Sequence, residues 1–299
     1  MINVLISVNQ AYLPHVQVML RSLRSRTDED VEIYLLNHTL DADTCAGLSD
    51  WAKSCGMVLH VIDVFKTQLD GLPIWPGRFS VEMYYRIIAQ YVLPAQLDRV
   101  MWLDADIVVL GDLAGFYHQK LDGYCLAACP DRGWDTDYVA GIKNKVGLPK
   151  DHQYFNSGVL LLNLEQLRQE RTLPQLIAEI NTVKDRLTYP DQDILNHLYD
   201  GKTKYCSWRE FNYQLDFDNR VAYPVLEHIR ILHFTGYRKP WEYQYFNGLS
   251  HWYWDQAKLN GRQKESEEFY AKGRAYWPVA RMRDVLQTVK GQLKKIMQK

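Results

Sequence analysis

Short apolar runs alternate with amphipathic stretches along the first half of the chain. Val4 to Val8 is typical of a strand buried on both faces of a sheet, and Val31 to Leu36 and Met57 to Val64 are further runs of strand length. Apolar residues at helical spacing follow the first run, at Val16, Met19, Leu20 and Leu23. A second helix is predicted over 41–55, with Asp41 as its cap and Gly56 as its stop. This β-α-β-α-β order predicts a mostly parallel sheet with helices on its faces.

The later chain predicts further elements of both kinds. We expect strands at 124–129, 155–164 and 229–233, a helix at 80–91, mostly helical structure over 165–187 despite Pro174, and a short helix in the segment 189–196. Gly and Pro residues predict a loop at 71–77, and the Gly, Asp and Lys residues of 130–149 predict a mobile loop over the site.

Two carboxylates interrupt an apolar run in the middle of the chain. Val100 to Leu103 predicts a buried strand, and Asp104 and Asp106 follow it with Ala105 between them. In extended backbone the two acidic side chains point to one side and can share a cation such as Mg²⁺ or Mn²⁺. Ligands of open α/β sheets bind at such strand ends. A polar turn would contain the same residues, so the motif alone leaves both interpretations open.

Composition excludes several classes of protein. Hydrophobic content of 47% with 24% charged residues is that of a globular protein, and a net charge of −1 gives no case for nucleic-acid binding. The turn after the first strand contains no glycine, which argues against a dinucleotide cofactor. The five cysteines form no Cys-X-X-Cys pair, and no leader pattern or membrane-spanning run is visible. We therefore expect a cytoplasmic protein.

Four motifs in sequence resemble glycosyltransferase family 8, which holds bacterial lipopolysaccharide galactosyl- and glucosyltransferases and, more distantly, glycogenin. They are Leu-Asp-Ala-Asp at 103–106, Phe-Asn-Ser-Gly-Val at 155–159, Pro-Asp-Gln-Asp-Ile-Leu-Asn at 190–196 and His-Phe-Thr-Gly-Tyr-Arg-Lys-Pro-Trp at 233–241. The resemblance covers about residues 1–245. It implies a GT-A fold, a Rossmann-like nucleotide-sugar-binding fold, that transfers a hexose from a UDP-sugar to a glycan or glycolipid acceptor with retention of configuration.

The resemblance also implies a metal site. Asp104, Asp106 and His233 match the ligands of a Mn²⁺ ion, although Mg²⁺ would also suit the carboxylates. A lone histidine at a strand end is more often a hydrogen-bonded structural residue. Here Gly236, Lys239 and Trp241 follow it at the family's spacing.

Donor contacts are carried over from the same motifs. The residues matched to the nucleotide-sugar donor are Asn9, Arg86, Asp104, Ala105, Asp106, Asn156, Gly236 and Lys239. Asn9 departs from the family, whose members commonly carry acidic residues there, but an amide can still pair with uracil. An ion pair on a helix surface is an equal interpretation of Arg86, and a solvated surface lysine is the alternative for Lys239.

Residues matched to the transferred sugar and the diphosphate are the candidate catalytic groups: Asp131, Asp191, Gln192 and Lys239. Because Gln192, which matches the sugar-facing position, is a poor nucleophile, we favour front-face displacement over a covalent intermediate on Asp131 or Asp191. A helix N-cap is the alternative role for Asp191. Other functions left open are a non-catalytic UDP-sugar or glycan-binding protein and a metal-dependent phosphoryl-transfer enzyme.

The C-terminal residues carry none of the motifs. We predict a catalytic domain over 1–250 and a helical extension over 251–299. Residues 278–299 contain six basic residues and one acid beside an apolar stripe at helical spacing, a pattern that predicts contact with an anionic membrane surface. Packing of the stripe on the protein, or a coiled coil with a second copy, is the alternative.

Overall fold

Strands and helices alternate through most of the chain. The computed structural model describes residues 1–64, 81–215, 226–246 and 248–276. Within these ranges the strands are β1 (Ile2–Ile6), β2 (Val31–Asn37), β3 (Val58–Asp63), β4 (Arg99–Leu103), β5 (Ile107–Val109), β6 (Leu126–Pro130), β7 (Phe155–Asn163), β8 (Thr203–Tyr205), β9 (Tyr213–Gln214) and β10 (Ile231–His233). The α-helices there are α1 (Leu13–Arg24), α2 (Ala42–Ser54), α3 (Tyr85–Val92), α4 (Ala114–Tyr117), α5 (Asp137–Val146), α6 (Leu164–Glu170), α7 (Leu173–Val183), α8 (Pro190–Leu198), α9 (Trp208–Phe211), α10 (Ser250–Leu259) and α11 (263–276).

A mostly parallel sheet organises the described part of the chain, as predicted. Its order is β3-β2-β1-β4-β7-β6-β8. Only β7 runs against its neighbours β4 and β6 among these seven strands. A smaller sheet has the order β5-β10-β9, in which β10 is antiparallel to β5 and parallel to β9.

Side chains of the central strands are buried on both faces of the large sheet. On β4, Met101 and Leu103 belong to one apolar cluster, whereas Val100 and Trp102 belong to the other. This alternation is what two-sided burial requires, and it explains why the strand sequence is continuously apolar. It also places Trp102 on the face covered by α3.

The first three strands and two helices confirm the predicted elements. β1 begins and ends two residues before the predicted run, and the four apolar residues of α1 are fully buried. Asp41 caps α2 by accepting a hydrogen bond from the Thr44 amide at 2.7 Å. Gly56 adopts a φ of +71°, which favours glycine, where the helix ends.

One prediction in the later chain is wrong, and two others are right only in part. The segment 130–149 is not a loop throughout, because it contains α5, which Thr136 caps and Gly147 ends at a φ of +78°. The segment 165–187 is mostly helical, as predicted, but it forms two helices, because the chain leaves helical geometry at Arg171 and restarts after Thr172. Pro174 lies in the first turn of α7, where its missing N–H costs nothing. Part of the predicted helix at 80–91 is a 3₁₀ turn, Val81–Tyr84, which leads into α3.

The chain divides into two units. One contains Met1–Gln214 and Tyr223–His233, and the other contains Leu215–Ala222 and Phe234–Lys299. In the second unit, Trp254 of α10 packs on Phe269 of α11, with ring centroids 4.9 Å apart. The predicted boundary at residue 250 stays a prediction. The predicted loop at 71–77 and the basic segment 278–299 lie outside the described residues, and no described helix is long and apolar enough to cross a membrane.

Candidate functional site

Asp104 and Asp106 follow β4 in a turn rather than in extended backbone. Their side chains nevertheless converge on His233, which ends β10 and is 2% exposed. Nε2 of His233 lies 3.2 Å from Asp106 Oδ1 and 3.8 Å from Asp104 Oδ2. One ligand atom from each residue fits within 4.8 Å of the others. Two carboxylates and an imidazole form a donor set suited to a divalent cation.

Asp104 presents only one of its two oxygens to this cluster. Oδ1 accepts a hydrogen bond from the Trp102 indole at 2.9 Å and lies 3.1 Å from Nη2 of Arg86. Oδ2 is the oxygen that faces His233. The surrounding side chains therefore orient Asp104 as a ligand through a single oxygen.

Arg86 is buried beneath the cluster and is not part of a helix-surface ion pair. It is 7% exposed, lies 4.1 Å from the Trp102 ring centroid and donates to the Ser157 carbonyl at 2.8 Å. Its second ion pair joins Nη1 to Asp191 Oδ2 at 3.3 Å. One buried cation thus compensates two carboxylates from different motifs.

A bulge in β7 supplies the next part of the site. Asn156 pairs with Cys129 of β6, whereas Leu160 pairs with the adjacent Ala128, so three residues of β7 have no partner on β6. The amides of Ser157 and Gly158 are thereby free to donate to side chains. A Cβ atom on Gly158 would lie 2.3 Å from Cε1 of His233 and 2.6 Å from Asp104 Oδ2. Only glycine fits here beside the cluster.

Asn156 and Gln192 join the bulge to α8. The Gln192 carbonyl oxygen accepts from the Ser157 amide at 3.1 Å and from Asn156 Nδ2 at 3.0 Å. Its amide nitrogen lies 3.5 Å from Asp131 Oδ2, at the limit of a hydrogen bond. These contacts bring together three of the predicted sugar-binding residues.

The Asp131 carboxyl follows β6 and is half-buried. Its Oδ1 accepts from the Gly133 amide at 3.0 Å. Burial raises the pKa of Asp131, although hydrogen bonds from Gly133, Gln192 and Asn156 oppose the shift.

Asp193 fixes the start of α8, a role that the sequence did not indicate. Tyr189, not Asp191, is the N-cap, and Asp191 instead accepts from the Ser157 hydroxyl at 2.8 Å. Asp193 is fully buried and accepts from the amides of Thr188 and Tyr189 and from the Tyr154 hydroxyl. Burial raises the pKa of Asp193, although the hydrogen bonds from these three donors lower it. Its place in the Pro-Asp-Gln-Asp motif was the only sequence signal.

Asn212 is a second residue that the sequence did not indicate. It is fully buried between His233 and Asn156, with Oδ1 2.8 Å from His233 Nδ1 and Nδ2 3.0 Å from Asn156 Oδ1. A hydrogen bond on the far nitrogen of a histidine ring is the usual support of a metal-binding imidazole. The residues present therefore fit a metal ion.

The remaining predicted residues lie at strand ends or in the second unit. Asn9 follows β1, which is parallel to β4, and caps a 3₁₀ turn through the Ala11 amide. Gly236 and Lys239 belong to the second unit, where Gly236 has a φ of +79° and Lys239 donates to the Phe234 carbonyl at 3.0 Å. Their predicted donor contacts stay predictions.

The fold is shared with solved glycosyltransferases. A structure of the galactosyltransferase LgtC with donor and acceptor sugar analogs superposes with a TM-score of 0.74 at 24% identity, over 86% of this chain and 96% of that one. The structure of GlyE from Streptococcus pneumoniae gives a TM-score of 0.65 at 23% identity, over 90% of this chain and 63% of that one. These likenesses define the class of fold, which is GT-A.

Sequence comparison then defines the family. The sequence profile described as Glycosyl transferase family 8 matches residues 3–245. The lipopolysaccharide 1,2-glucosyltransferase of Escherichia coli K12 is 27% identical over 253 residues, which are 80% of this chain and 72% of that protein. A relative from Haemophilus influenzae is 26% identical over 212 residues, which are 71% of this chain and 63% of that protein. The chain belongs to glycosyltransferase family 8.

Proposed function

We propose that this glycosyltransferase moves a hexose from a UDP-sugar to a hydroxyl group of a cell-surface glycan or glycolipid, with retention of configuration and with Mn²⁺ as its metal ion. The cluster of Asp104, Asp106 and His233 carries the proposal. An imidazole added to carboxylates favours Mn²⁺ over Mg²⁺, which prefers oxygen ligands alone. The likeness to a lipopolysaccharide glucosyltransferase supports a bacterial surface glycan as acceptor.

Donor recognition is divided among the carried-over residues. When bound, the metal ion would neutralise charge on the diphosphate. Lys239 would stabilise the charge that develops on the leaving oxygens, and Gly236 would let the backbone approach a phosphate. Asn9 would contact the uracil base. The catalytic domain proposed for these contacts is residues 1–250.

Front-face displacement agrees with the bonding of Gln192. Its carbonyl oxygen already accepts two N–H groups, so it has little capacity to attack the anomeric carbon. In this route the acceptor hydroxyl attacks from the side on which the diphosphate leaves. The bond from the anomeric carbon to the diphosphate oxygen breaks, and the leaving oxygen takes the hydroxyl proton. A covalent intermediate on Asp131 or Asp191 is the alternative.

UDP release from a panel of UDP-sugars, with Mn²⁺ and with excess chelator, tests the proposal. We expect metal-dependent release from one or a few sugars and its loss in Asp106→Asn. Asp112→Asn is the matched control, because Asp112 is exposed and contacts the Ala114 amide. UDP-sugar binding without turnover would indicate a binding protein, and phosphate release in place of UDP would indicate phosphoryl transfer.

The basic segment 278–299 supports a second, separable proposal, which rests on sequence alone. An apolar stripe flanked by lysines and arginines suits the surface of an anionic membrane. We expect the full chain to sediment with anionic vesicles at low salt, and the chain ending at residue 277 to stay in solution with its UDP-sugar hydrolysis intact. A large loss of thermal stability on truncation would show instead that the stripe packs on the protein.

A further inference from the structure

A backbone amide determines which end of each side-chain amide near His233 is the carbonyl oxygen and which is the NH₂ group. The Gly158 amide lies 3.0 Å from one terminal atom of the Asn156 side chain. Because a backbone N–H can only donate, that atom is the carbonyl oxygen Oδ1. The same oxygen lies 3.0 Å from a terminal atom of Asn212, which must therefore be its NH₂ group.

The orientation of Asn212 in turn determines which nitrogen of the imidazole ring carries a proton. With its NH₂ group directed at Asn156, Asn212 presents its carbonyl oxygen to His233 Nδ1 at 2.8 Å. A carbonyl oxygen can only accept, so Nδ1 carries a proton. In the neutral ring the other nitrogen, Nε2, then has a lone pair, and this lone pair faces Asp104 and Asp106.

We propose that Asn212 is a positioning residue that holds His233 in the Nδ1–H tautomer required for a metal ligand. Without this contact, Nε2–H would donate to Asp106 Oδ1 at 3.2 Å, and the ring would be protonated on the nitrogen that must bind the ion. The burial of Asn212 and His233, at 0% and 2% exposure, keeps bulk solvent away from this contact. The inference rests on the proposed function only for the metal ion, because the tautomer belongs to the metal-free protein.

Two-bond ¹⁵N–¹H correlation spectra of the imidazole rings test the tautomer directly. They are recorded on the metal-free chain at mildly alkaline pH, with His233 assigned by comparison with His233→Gln. We expect the Nδ1–H form in the wild type and its loss in Asn212→Leu. An Nε2–H tautomer in the wild type, or an unchanged tautomer in Asn212→Leu, would overturn the proposal.

Mn²⁺ affinity, measured from the electron paramagnetic resonance signal of the free ion, gives the second readout. We expect Asn212→Leu to weaken binding by about 10- to 100-fold, the usual effect of losing such a contact. Asn37→Leu is the matched control, since Asn37 is also a buried amide but bonds to Leu40 and Asp63. An equal loss in both variants, or no loss in Asn212→Leu, would contradict the positioning role. A wild type with the expected tautomer that binds no Mn²⁺ would overturn the metal site itself.

Discussion

Arg86 helps to determine which oxygen of Asp104 faces the proposed metal ion. Nη2 lies 3.1 Å from Oδ1, so Oδ2 alone is directed at His233. We expect Arg86→Met to lower the free energy of unfolding by about 3–5 kcal/mol, because it leaves two partly buried carboxylates uncompensated. Urea unfolding measures the loss. Arg230→Met removes a half-exposed ion pair with Glu210 and should cost at most about 1 kcal/mol. Similar losses in the two variants would contradict the buried role of Arg86.

Gly158 leaves room for the cluster. A methyl group there would lie 2.3 Å from His233, so we expect Gly158→Ala to displace the ring and to reduce transfer by about 10²-fold or more. Gly141→Ala is the control, since nothing lies within 4 Å of a Cβ at that helical position. Initial rates and Mn²⁺ binding of the two variants give the comparison. Full activity of Gly158→Ala would show that the cluster tolerates the displacement.

The raised pKa of Asp131 predicts a pH-dependent cost to folding. Because the folded state binds this proton more tightly than the unfolded state, the carboxyl favours folding at low pH, and that advantage is lost as pH rises through the folded-state pKa. We expect the free energy of unfolding of the wild type, relative to Asp131→Asn, to fall as pH rises from about 4. Paired denaturant titrations at several pH values give this difference. A difference that rises with pH would mean that the hydrogen bonds outweigh burial.

Gln192 distinguishes the two routes for transfer. Because its oxygen accepts two hydrogen bonds, we expect Gln192→Ala to slow the reaction without abolishing it. Intact mass spectrometry after incubation with donor alone should show the unmodified chain. An added hexose mass in wild type, lost in Asp191→Asn or Asp131→Asn, would establish a covalent intermediate instead.

Periodic features of the sequence predicted the frame of the molecule well. The buried strands and α1 follow from apolar spacing, and the α2 boundaries follow from Asp41 and Gly56, which act locally. The missed helix α5 carries equally local signals, namely Thr136, Gly147 and buried apolar residues at helical spacing. The Gly, Asp and Lys residues of the segment 130–149 favoured a loop. The helix α5 was missed because composition was weighted above these capping and spacing signals.

The polar network of the site could be predicted only in part. The motifs indicated Asp104, Asp106, Asn156 and Gln192, but no local pattern marks Asn212. Asn212 reaches His233 because β9 pairs with β10, a contact between segments about twenty residues apart. The burial of Arg86 likewise depends on the packing of α3 over β4. Such roles are properties of tertiary structure, and spacing along the chain does not encode them.

The bulge in β7 interrupts the backbone hydrogen bonds of the sheet and frees amides that orient side chains of the site. If Ser157, Gly158 and Val159 were absorbed into a regular ladder with β6, the sheet would gain backbone hydrogen bonds, and the amides that orient Asn156 and Gln192 would be lost. The orientation of Asn156 and Gln192 therefore depends on the irregular pairing of β7 with β6.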